Sequence, residues 1–303
     1  MRLTAYGRPS GFCADPVEKK PLNHFYPGSR VLSFGTVGCN LGCKFCQNWV
    51  ISKAREIDAS QQPVRPSDIA RLAVTYRCEG VAYTYNDPVI FAEYAVDTAK
   101  ACRTEGIRNV AVTAGFISPE ARTYFFSAMD AANIDLKGFS EEFYRKYTLS
   151  SLGPVLDTLK YVYHQTRVWL EITTLIIPGL NDSPREMVRM AQWIARELGN
   201  DVPLHLTAFH PDFRLRSIPP TSVSTLRSLR HTAMENGLRH VYLGNVLDEE
   251  GATTYCGGCG EVLIRRQGYH IEAYHLREGN HCPRCGEACV GVFDRTMTPG
   301  QMN

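Results

Sequence analysis

The sequence lacks the features that mark exported, membrane-spanning and nucleic-acid-binding proteins. No apolar run approaches about 18 residues, so no transmembrane helix is expected. The first residues, Met1-Arg-Leu-Thr-Ala-Tyr-Gly, contain no apolar stretch of a secretory signal, and we therefore expect a cytoplasmic protein. The formal net charge is only +2, which favours neither nucleic acid nor an acidic membrane as a partner. Hydrophobic residues still make up 44% of the 303 positions, enough for a sizeable core.

Cysteine, by contrast, is abundant, with eleven residues. In a chain without an export signal, cysteines more often bind metal or do chemistry than form disulfides. Cys39, Cys43 and Cys46 form a C-x3-C-x2-C triplet. Thiolates ligate iron–sulfur clusters, and a [4Fe–4S] cluster has four irons, so three ligands leave one iron open for a substrate or cofactor. A disulfide pair with a spare thiol, or a zinc knuckle, is the alternative interpretation.

From residue 30 to residue 246, short apolar runs alternate with helical patterns. This alternation indicates βαβ units and a parallel sheet, which repeated right-handed crossovers curl into a barrel or part of one. The predicted strands are 30–34, 80–85, 110–113, 132–136, 168–177, 203–208 and 241–243. Ser183-Pro-Arg-Glu also predicts a capping box at the start of one helix. We therefore predict an α/β fold, a partial (β/α) barrel over 30–246.

The segment before the barrel, residues 1–29, is rich in proline, glycine and charge and has no clear periodicity. It is predicted to be a solvated N-terminal arm that packs over the barrel mouth. A catalytic role for Lys19 or Lys20 is the alternative.

The segment after the barrel, residues 247–303, contains a second cysteine group. Two C-x2-C knuckles, Cys256/Cys259 and Cys282/Cys285, suit tetrahedral zinc in a small zinc-ribbon-like or rubredoxin-like domain. Mononuclear iron and an auxiliary cluster are the alternatives, and Cys289 is either a stray ligand or a buried thiol. Residues 262–266 and 269–274 are predicted to form a hairpin between the knuckles. The segment mixes arginine with glutamate, so no nucleic-acid-binding face is expected.

Polar residues follow several of the predicted strands. In parallel barrels the chemistry gathers at the carboxyl ends of the strands, and the triplet falls just after the first strand. Asn86 and Asp87 after the second strand offer oxygen acceptors for an ammonium group, or an Asx-turn before Pro88. Asp135 and Lys137 lie on one side of the chain, facing a pocket or forming a buried ion pair. The candidate ligand-binding residues are Asn86, Asp87, Thr113, Asp135, Lys137, His205 and His210, the last of which is alternatively a surface turn residue.

The triplet, with Phe45 before its third cysteine, resembles the signature of the radical S-adenosylmethionine (SAM) enzymes. The resemblance implies a [4Fe–4S] cluster whose open iron binds the methionine part of SAM. It also implies that an electron from the reduced cluster cleaves SAM to methionine and a 5′-deoxyadenosyl radical, which abstracts hydrogen from a substrate. An electron donor of the flavodoxin or ferredoxin type is implied as well. The non-enzymatic alternative is an electron carrier or a zinc-ribbon binding module.

Two segments are similar to those that lie in the SAM site of the pyruvate formate-lyase-activating branch, namely Thr84-Tyr-Asn-Asp-Pro and Asp135-Leu-Lys. Residues 12–300 resemble the radical SAM member of the AmmeMemoRadiSam system. The matching segments are Asp15-Pro-Val-Glu-Lys-Lys-Pro-Leu, Gly38-Cys-Asn through Cys46-Gln-Asn-Trp, Thr84-Tyr-Asn-Asp-Pro, Asn133-Ile-Asp-Leu-Lys-Gly-Phe, Thr173-Thr-Leu-Ile-Ile-Pro-Gly-Leu-Asn-Asp and Phe209-His-Pro-Asp. The resemblance implies modification of a small molecule or a partner protein, with glycyl-radical activation of a partner enzyme as the other possibility. Many relatives carry a further cysteine-rich segment ahead of this point, of which only Cys13 is present.

Overall fold

An eight-stranded sheet, with its strands in sequence order, forms the body of the protein. The computed structural model describes residues 3–54 and 62–293, so the first two residues of the predicted arm and the last ten of the C-terminal segment lie outside the described residues. The strands are β1 Phe12–Pro16, β2 Arg30–Phe34, β3 Gly80–Tyr83, β4 Arg108–Thr113, β5 Ala131–Asp135, β6 Trp169–Ile176, β7 Leu204–Ala208 and β8 Val241–Gly244. Strands β2 to β8 run parallel, as predicted, and β1 pairs antiparallel with β2.

Helices connect the parallel strands and cover the outer face of the sheet. The helices are α1 Trp49–Ser52, α2 Pro66–Thr75, α3 Ala92–Thr104, α4 Pro119–Phe126, α5 Glu141–Phe143, α6 Gly153–Gln165, α7 Pro184–Leu198, α8 Val223–Glu235 and α9 Glu249–Ala252, with a π-helical turn at Tyr144–Thr148. In α7, Met187, Ala191 and Ile194 recur at helical spacing and are buried. Across the described ranges, no helix is both long and apolar enough to cross a membrane.

The predicted capping box at the start of α7 is wrong. The Ser183 side chain makes no capping hydrogen bond. The Glu186 carboxylate instead accepts a hydrogen bond from the Phe139 N–H at 2.7 Å, which ties α7 to the loop after β5. The Glu186 carboxylate therefore accepts a hydrogen bond from a distant backbone N–H rather than from the start of its own helix.

The prediction of a solvated arm at residues 1–29 is also wrong for most of that segment. Residues 12–16 form β1, and Val17, Leu22 and Phe25 pack inside the curve of the sheet against Val31 and other inward-facing strand residues. Alternate residues of the same strands point outward to the helices, as the period of two in a strand requires. The apolar residues of the segment therefore fill a barrel interior that the strand pattern alone leaves empty.

The C-terminal segment adds a three-stranded antiparallel sheet, with the predicted hairpin in place. Its strands are β9 Thr254–Tyr255, β10 Val262–Gln267 and β11 His270–Tyr274, in the order β11-β10-β9. Val292 pairs with Phe25, so this segment also contacts residues 17–29. The C-terminal segment therefore packs against the part of the chain that fills the barrel.

Candidate active site

The cysteine triplet lies on the loop after β2, as predicted, and Asn86 holds the start of this loop. The Asn86 amide donates to the Gly38 carbonyl at 2.7 Å, and its Oδ1 accepts from the Thr36 N–H at 3.2 Å. Gly38 has a φ of +91°, which favours glycine, and its own N–H donates to the Ile51 carbonyl. The loop carrying the thiols is thus anchored at its first turn by a residue from the loop that follows β3.

A cavity of about 300 Å³ opens beside the triplet at the carboxyl ends of the strands. All three thiols of the triplet line it. Residues in the carboxyl-terminal halves of β3 to β8 or directly after these strands also contribute, so the sheet curves into an open, partial barrel around it. The structure brings five of the seven predicted ligand-binding residues to this cavity, namely Asn86, Asp87, Thr113, Asp135 and Lys137.

Asp87 organises the wall of the cavity between β3 and β4. Its Oδ1 accepts hydrogen bonds from the Val89 N–H and the Thr113 hydroxyl at 3.1 and 2.8 Å, and its Oδ2 accepts from the Ala114 N–H at 2.9 Å. Burial raises the pKa of Asp87, while these donors act in the opposite direction. A carboxylate has about four acceptor positions, so Oδ2 retains one for a ligand.

Asp135 and Lys137 form an ion pair at the cavity, with Nζ 2.7 Å from Oδ2. Both side chains remain partly exposed, 30% for Asp135 and 16% for Lys137. Burial alone would lower the pKa of Lys137, but the charge of Asp135 and its hydrogen bond to the ammonium outweigh it and raise the pKa above its usual range. Lys137 is therefore an ammonium at neutral pH, and the partial exposure leaves it accessible from the cavity.

The cavity suits a polar ligand held beside an iron–sulfur cluster. Within the described part of the chain, Gln47 Nε2 and Thr173 Oγ1 belong to cavity-lining residues and are buried without a hydrogen-bond partner. Unpaired buried polar atoms are rare and indicate a missing partner. Burial raises the pKa of the Cys43 thiol to about 12, but coordination deprotonates a thiol outright. The three cysteine thiols on one loop fit an iron–sulfur cluster, and the unpaired polar atoms that line the same cavity fit a polar ligand.

Comparison with known proteins decides the family. Residues 34–191, which contain the triplet and β3 to β6, match the sequence profile of the Radical SAM superfamily, just over half of the 303 residues. The chain belongs to the radical SAM superfamily. Its members use SAM and a [4Fe–4S] cluster, so this protein is a radical SAM enzyme.

Relatives and solved structures agree with this assignment. An uncharacterized protein of Methanocaldococcus jannaschii is 40% identical over 288 residues, covering 95% of this chain and 85% of that protein. Pyruvate formate-lyase 1-activating enzyme of Escherichia coli K12 is 23% identical over 231 residues, covering 67% of this chain and 88% of that enzyme. A radical SAM methyltransferase structure from Sphaerobacter thermophilus shares the fold with a TM-score of 0.58 at 14% identity, covering 78% and 71% of the two chains.

The two histidines predicted at the site of this radical SAM enzyme do not line the cavity. His205 is buried and donates from Nε2 to Glu171 Oε2 at 2.7 Å. Glu171 also accepts from the backbone N–H groups of Asn23 and His24, so the pair anchors the N-terminal segment inside the barrel. His210 is exposed. A place in or shortly after a strand did not by itself distinguish a side chain turned to the cavity from one packed below it.

Sequence reasoning missed several cavity residues. The cavity is also lined by Pro21, Gln47, Tyr85, Thr207 and Asn245. Gln47 directly follows Cys46, and Asn245 directly follows β8, so both adjoin features that were recognised. Tyr85 and Asn245 have φ values of +72° and +59°, and such backbone strain in non-glycine residues clusters at functional sites. Pro21 lies in the segment Asp15-Pro-Val-Glu-Lys-Lys-Pro-Leu, which was noted for its family resemblance but not assigned to the cavity.

The second cysteine group converges on one point. The Sγ atoms of Cys256 and Cys285 are 3.5 Å apart, those of Cys259 and Cys282 are 3.6 Å apart, and all four lie within 4.8 Å of one another. A zinc ion holds tetrahedral thiolates at about 2.3 Å, which places the sulfurs about 3.8 Å apart. Burial opposes ionisation of Cys282, but the N–H groups of Cys285 and Arg284 hold its pKa below the usual range. The geometry suits a single tetrahedral ion.

A buried group of His24, His240 and Cys289 is also close enough to suggest a metal. His24, however, has both ring nitrogens engaged. Its Nδ1 donates to the Val290 carbonyl at 2.7 Å, so its Nε2 accepts from the Tyr242 hydroxyl at 2.6 Å. His24 therefore has no nitrogen left for a metal, and Cys289 is a buried thiol rather than a ligand of the four-cysteine site.

Proposed function

We propose that the cavity beside the triplet binds SAM and presents it to a substrate from which hydrogen is abstracted. The observation that carries this proposal is that the three thiols share one cavity with polar residues from the ends of β3, β4 and β5. Cys39, Cys43 and Cys46 would hold the [4Fe–4S] cluster. When bound and reduced, that cluster supplies the electron that cleaves SAM to methionine and a 5′-deoxyadenosyl radical.

The other residues bind and orient SAM. The Lys137 ammonium would pair with the SAM carboxylate, since Lys137 is charged and partly exposed to the cavity. The free acceptor position on Asp87 Oδ2 suits the SAM ammonium. Asn86 already makes three hydrogen bonds within the protein, which supports a role in holding the cysteine loop rather than in contacting SAM.

Replacing Lys137 with methionine should weaken SAM binding while the cluster still assembles. A hydrogen bond to a charged group contributes about 1.5–3 kcal/mol, so the dissociation constant should rise by about tenfold to a hundredfold. Equilibrium dialysis with radiolabelled SAM, on protein of measured iron and sulfide content, gives the affinity. Lys100→Met, at a largely exposed lysine on α3, is the control. Unchanged SAM affinity in Lys137→Met would make the Asp135–Lys137 pair a purely structural ion pair.

The substrate is proposed to be a small molecule or a partner protein in an AmmeMemoRadiSam setting. The long motif matches of the sequence support that setting. A side cavity of about 80 Å³, which includes Lys19 and Tyr269, adjoins the SAM cavity, and Pro21, Thr207 and Asn245 line both. It offers room for a substrate group next to SAM.

Activation of a partner enzyme is the second candidate. Relatives named as pyruvate formate-lyase-activating enzymes, from Escherichia coli and Clostridium pasteurianum, support it. Electron paramagnetic resonance on a candidate partner separates the two. A persistent glycyl signal supports activation, whereas a deuterium-labelled product without that signal supports the first candidate.

The four-cysteine site is proposed to hold one zinc ion that stabilises the C-terminal segment. Elemental analysis of protein before cluster reconstitution should show about one zinc per chain. The Cys256→Ser/Cys282→Ser variant should lose that zinc, because each knuckle loses a ligand. Cys289→Ala should retain it. Iron in place of zinc in the wild-type protein would establish a rubredoxin-like site instead.

A further inference from the structure

The outer surface around the cysteine loop carries more basic than acidic residues, although the chain as a whole is nearly neutral. Three segments make it up: residues 41–54, 141–150 and 209–218. Together they hold six lysines and arginines against three acidic residues, a local excess of three positive charges, compared with a net charge of only +2 for all 303 residues. The basic residues are Lys44, Lys53, Arg145, Lys146, Arg214 and Arg216. We call this surface the basic face.

Backbone hydrogen bonds hold the three segments together. The Gly42 N–H donates to the Thr148 carbonyl and the Lys44 N–H to the Tyr147 carbonyl, both at 2.8 Å. The Arg214 N–H donates to the Lys44 carbonyl at 3.1 Å. The charges of the basic face are therefore carried on one connected surface rather than on independent loops.

Aromatic rings position several of these cations. The ammonium groups of Lys44 and Lys146 lie 5.7 and 5.3 Å from the centre of the Tyr147 ring. The Arg214 guanidinium lies 5.2 Å from the centre of the Phe213 ring, which stacks on Trp49. Of the three acidic residues, Asp212 accepts a hydrogen bond from the Trp49 indole at 3.0 Å and Glu141 accepts one from the Leu152 N–H at 2.9 Å, so both carboxylates are engaged within the protein.

Exposed apolar side chains lie among these cations. Val50 is 67% exposed and Leu149 is 60% exposed. Leu149 packs directly on the cysteine loop, since a Cβ added at Gly42 would lie only 2.5 Å from it. Apolar residues ringed by charge are the usual composition of a protein–protein contact surface.

The basic face also adjoins a cluster ligand, because Gly42 and Lys44 flank Cys43 in the chain. A protein docked here would contact the loop that carries Cys43. Reductive cleavage of SAM consumes one electron, which must come from outside the chain's own side chains. The position of the basic face beside a cluster ligand and its positive charge therefore indicate which kind of protein would bind there.

We propose that the basic face docks an acidic redox protein that reduces the cluster, an inference that rests on the proposed function. One electron would pass from the reduced donor to the [4Fe–4S] cluster that Cys39, Cys43 and Cys46 would hold, so the donor would be oxidised by one electron and the cluster reduced by one. Opposite charges steer encounter and set the docking position more than they add affinity. The cations of the basic face serve this purpose, and Leu149 and Val50 supply the apolar contact.

Charge reversal on the basic face tests the proposal. The Lys146→Glu/Arg214→Glu variant changes two exposed cations that make no contact with the SAM cavity. A matched control, Arg103→Glu/Arg167→Glu, makes the same charge change in a groove at the opposite end of the strands. The measurement is the rate of cluster reduction by a purified, photoreduced acidic flavodoxin, followed by absorbance. Dithionite, a small reductant that needs no docking surface, is used in parallel.

The basic-face variant should be reduced by flavodoxin at least about tenfold more slowly at low ionic strength, with the difference shrinking as salt screens the charges. The control should stay within about twofold of wild type. The dissociation constant of oxidised flavodoxin for the cluster-free chain, from titration calorimetry, should rise by at least about tenfold in the first variant alone. Equal flavodoxin rates in both variants would overturn the proposal, as would a parallel loss of dithionite reduction. Failure of the wild-type protein to cleave SAM with dithionite would instead count against the proposed function.

Discussion

Replacing Cys39, Cys43 and Cys46 together with alanine is expected to abolish SAM cleavage. The three thiols lie on one loop and line one cavity, so their removal takes away every proposed protein ligand of the cluster. Formation of 5′-deoxyadenosine should fall below about one-thousandth of the wild-type rate, a barrier increase of more than about 4 kcal/mol. The measurement is product quantification by mass spectrometry after anaerobic reconstitution, with dithionite as reductant.

Cys13→Ala is the control for this experiment, because Cys13 is exposed, lies on β1 and does not line the cavity. It should retain both the iron content and the SAM cleavage rate. The triple variant should keep its circular dichroism spectrum, since Asn86, Thr36 and Ile51 hold the start of the loop through backbone groups. SAM cleavage by the triple variant at the wild-type rate would show that the triplet is not the cluster site.

Replacing Arg266 with alanine is expected to destabilise the protein by about 3–5 kcal/mol, the usual cost of breaking a buried ion pair. Arg266 extends from β10 into the interior and is 1% exposed. It donates to the Asn23 carbonyl and the Thr254 hydroxyl, both at 2.8 Å, and lies 3.7 Å from the buried Glu18 carboxylate. One side chain therefore joins the C-terminal sheet to the segment that fills the barrel.

Urea unfolding followed by tryptophan fluorescence measures this loss. The neighbouring Arg265 is the matched control, because its side chain is 46% exposed and pairs with Glu249 at the surface. Arg265→Ala should cost no more than about 1 kcal/mol. Equal unfolding midpoints for the two variants would mean that the Arg266 network does not hold the C-terminal segment to the barrel.

The loss in free energy of unfolding caused by Arg266→Ala should depend on pH. Burial raises the pKa of Glu18, and the Arg266 charge opposes that rise, so removing Arg266 raises this pKa further. A carboxyl group whose pKa is higher in the folded than in the unfolded state lowers the free energy of unfolding at pH values above its unfolded pKa. This effect vanishes once the pH is low enough for the carboxyl group to be protonated in both states. The difference in unfolding free energy between variant and wild type should therefore be smaller at pH 5 than at pH 8. A constant difference would exclude Glu18 as its source.

The parallel sheet and the position of the triplet were predictable because both depend on local patterns. Apolar runs such as Val110–Thr113 alternate with helical repeats, and the rule for strand ends then places Asp135 and Lys137 at one edge. Strand β1 was not predictable in the same way. Its sequence, Phe12-Cys-Ala-Asp-Pro, ends in proline and has little apolar alternation, and only pairing with β2 makes it a strand.

The histidines show a second reason why sequence reasoning fell short. His205 lies within a predicted strand that leads to the active end of the barrel, yet it pairs with Glu171 below the cavity. Which side chains reach a ligand depends on depth along the strand and on what fills the barrel. Here the N-terminal segment fills it, through long-range contacts from Asn23 and His24 to Glu171 that no local pattern encodes.

SAM is proposed to bind in the cavity next to a cluster held by Cys39, Cys43 and Cys46. Titration of SAM into the reconstituted, dithionite-reduced protein, followed by electron paramagnetic resonance, measures this binding at the cluster itself. We expect a reduced [4Fe–4S] signal whose g values shift on SAM addition, with saturation at one SAM per cluster. In the Lys137→Met variant the same shift should require more SAM. A signal that does not respond to saturating SAM would show that SAM does not bind at this cluster.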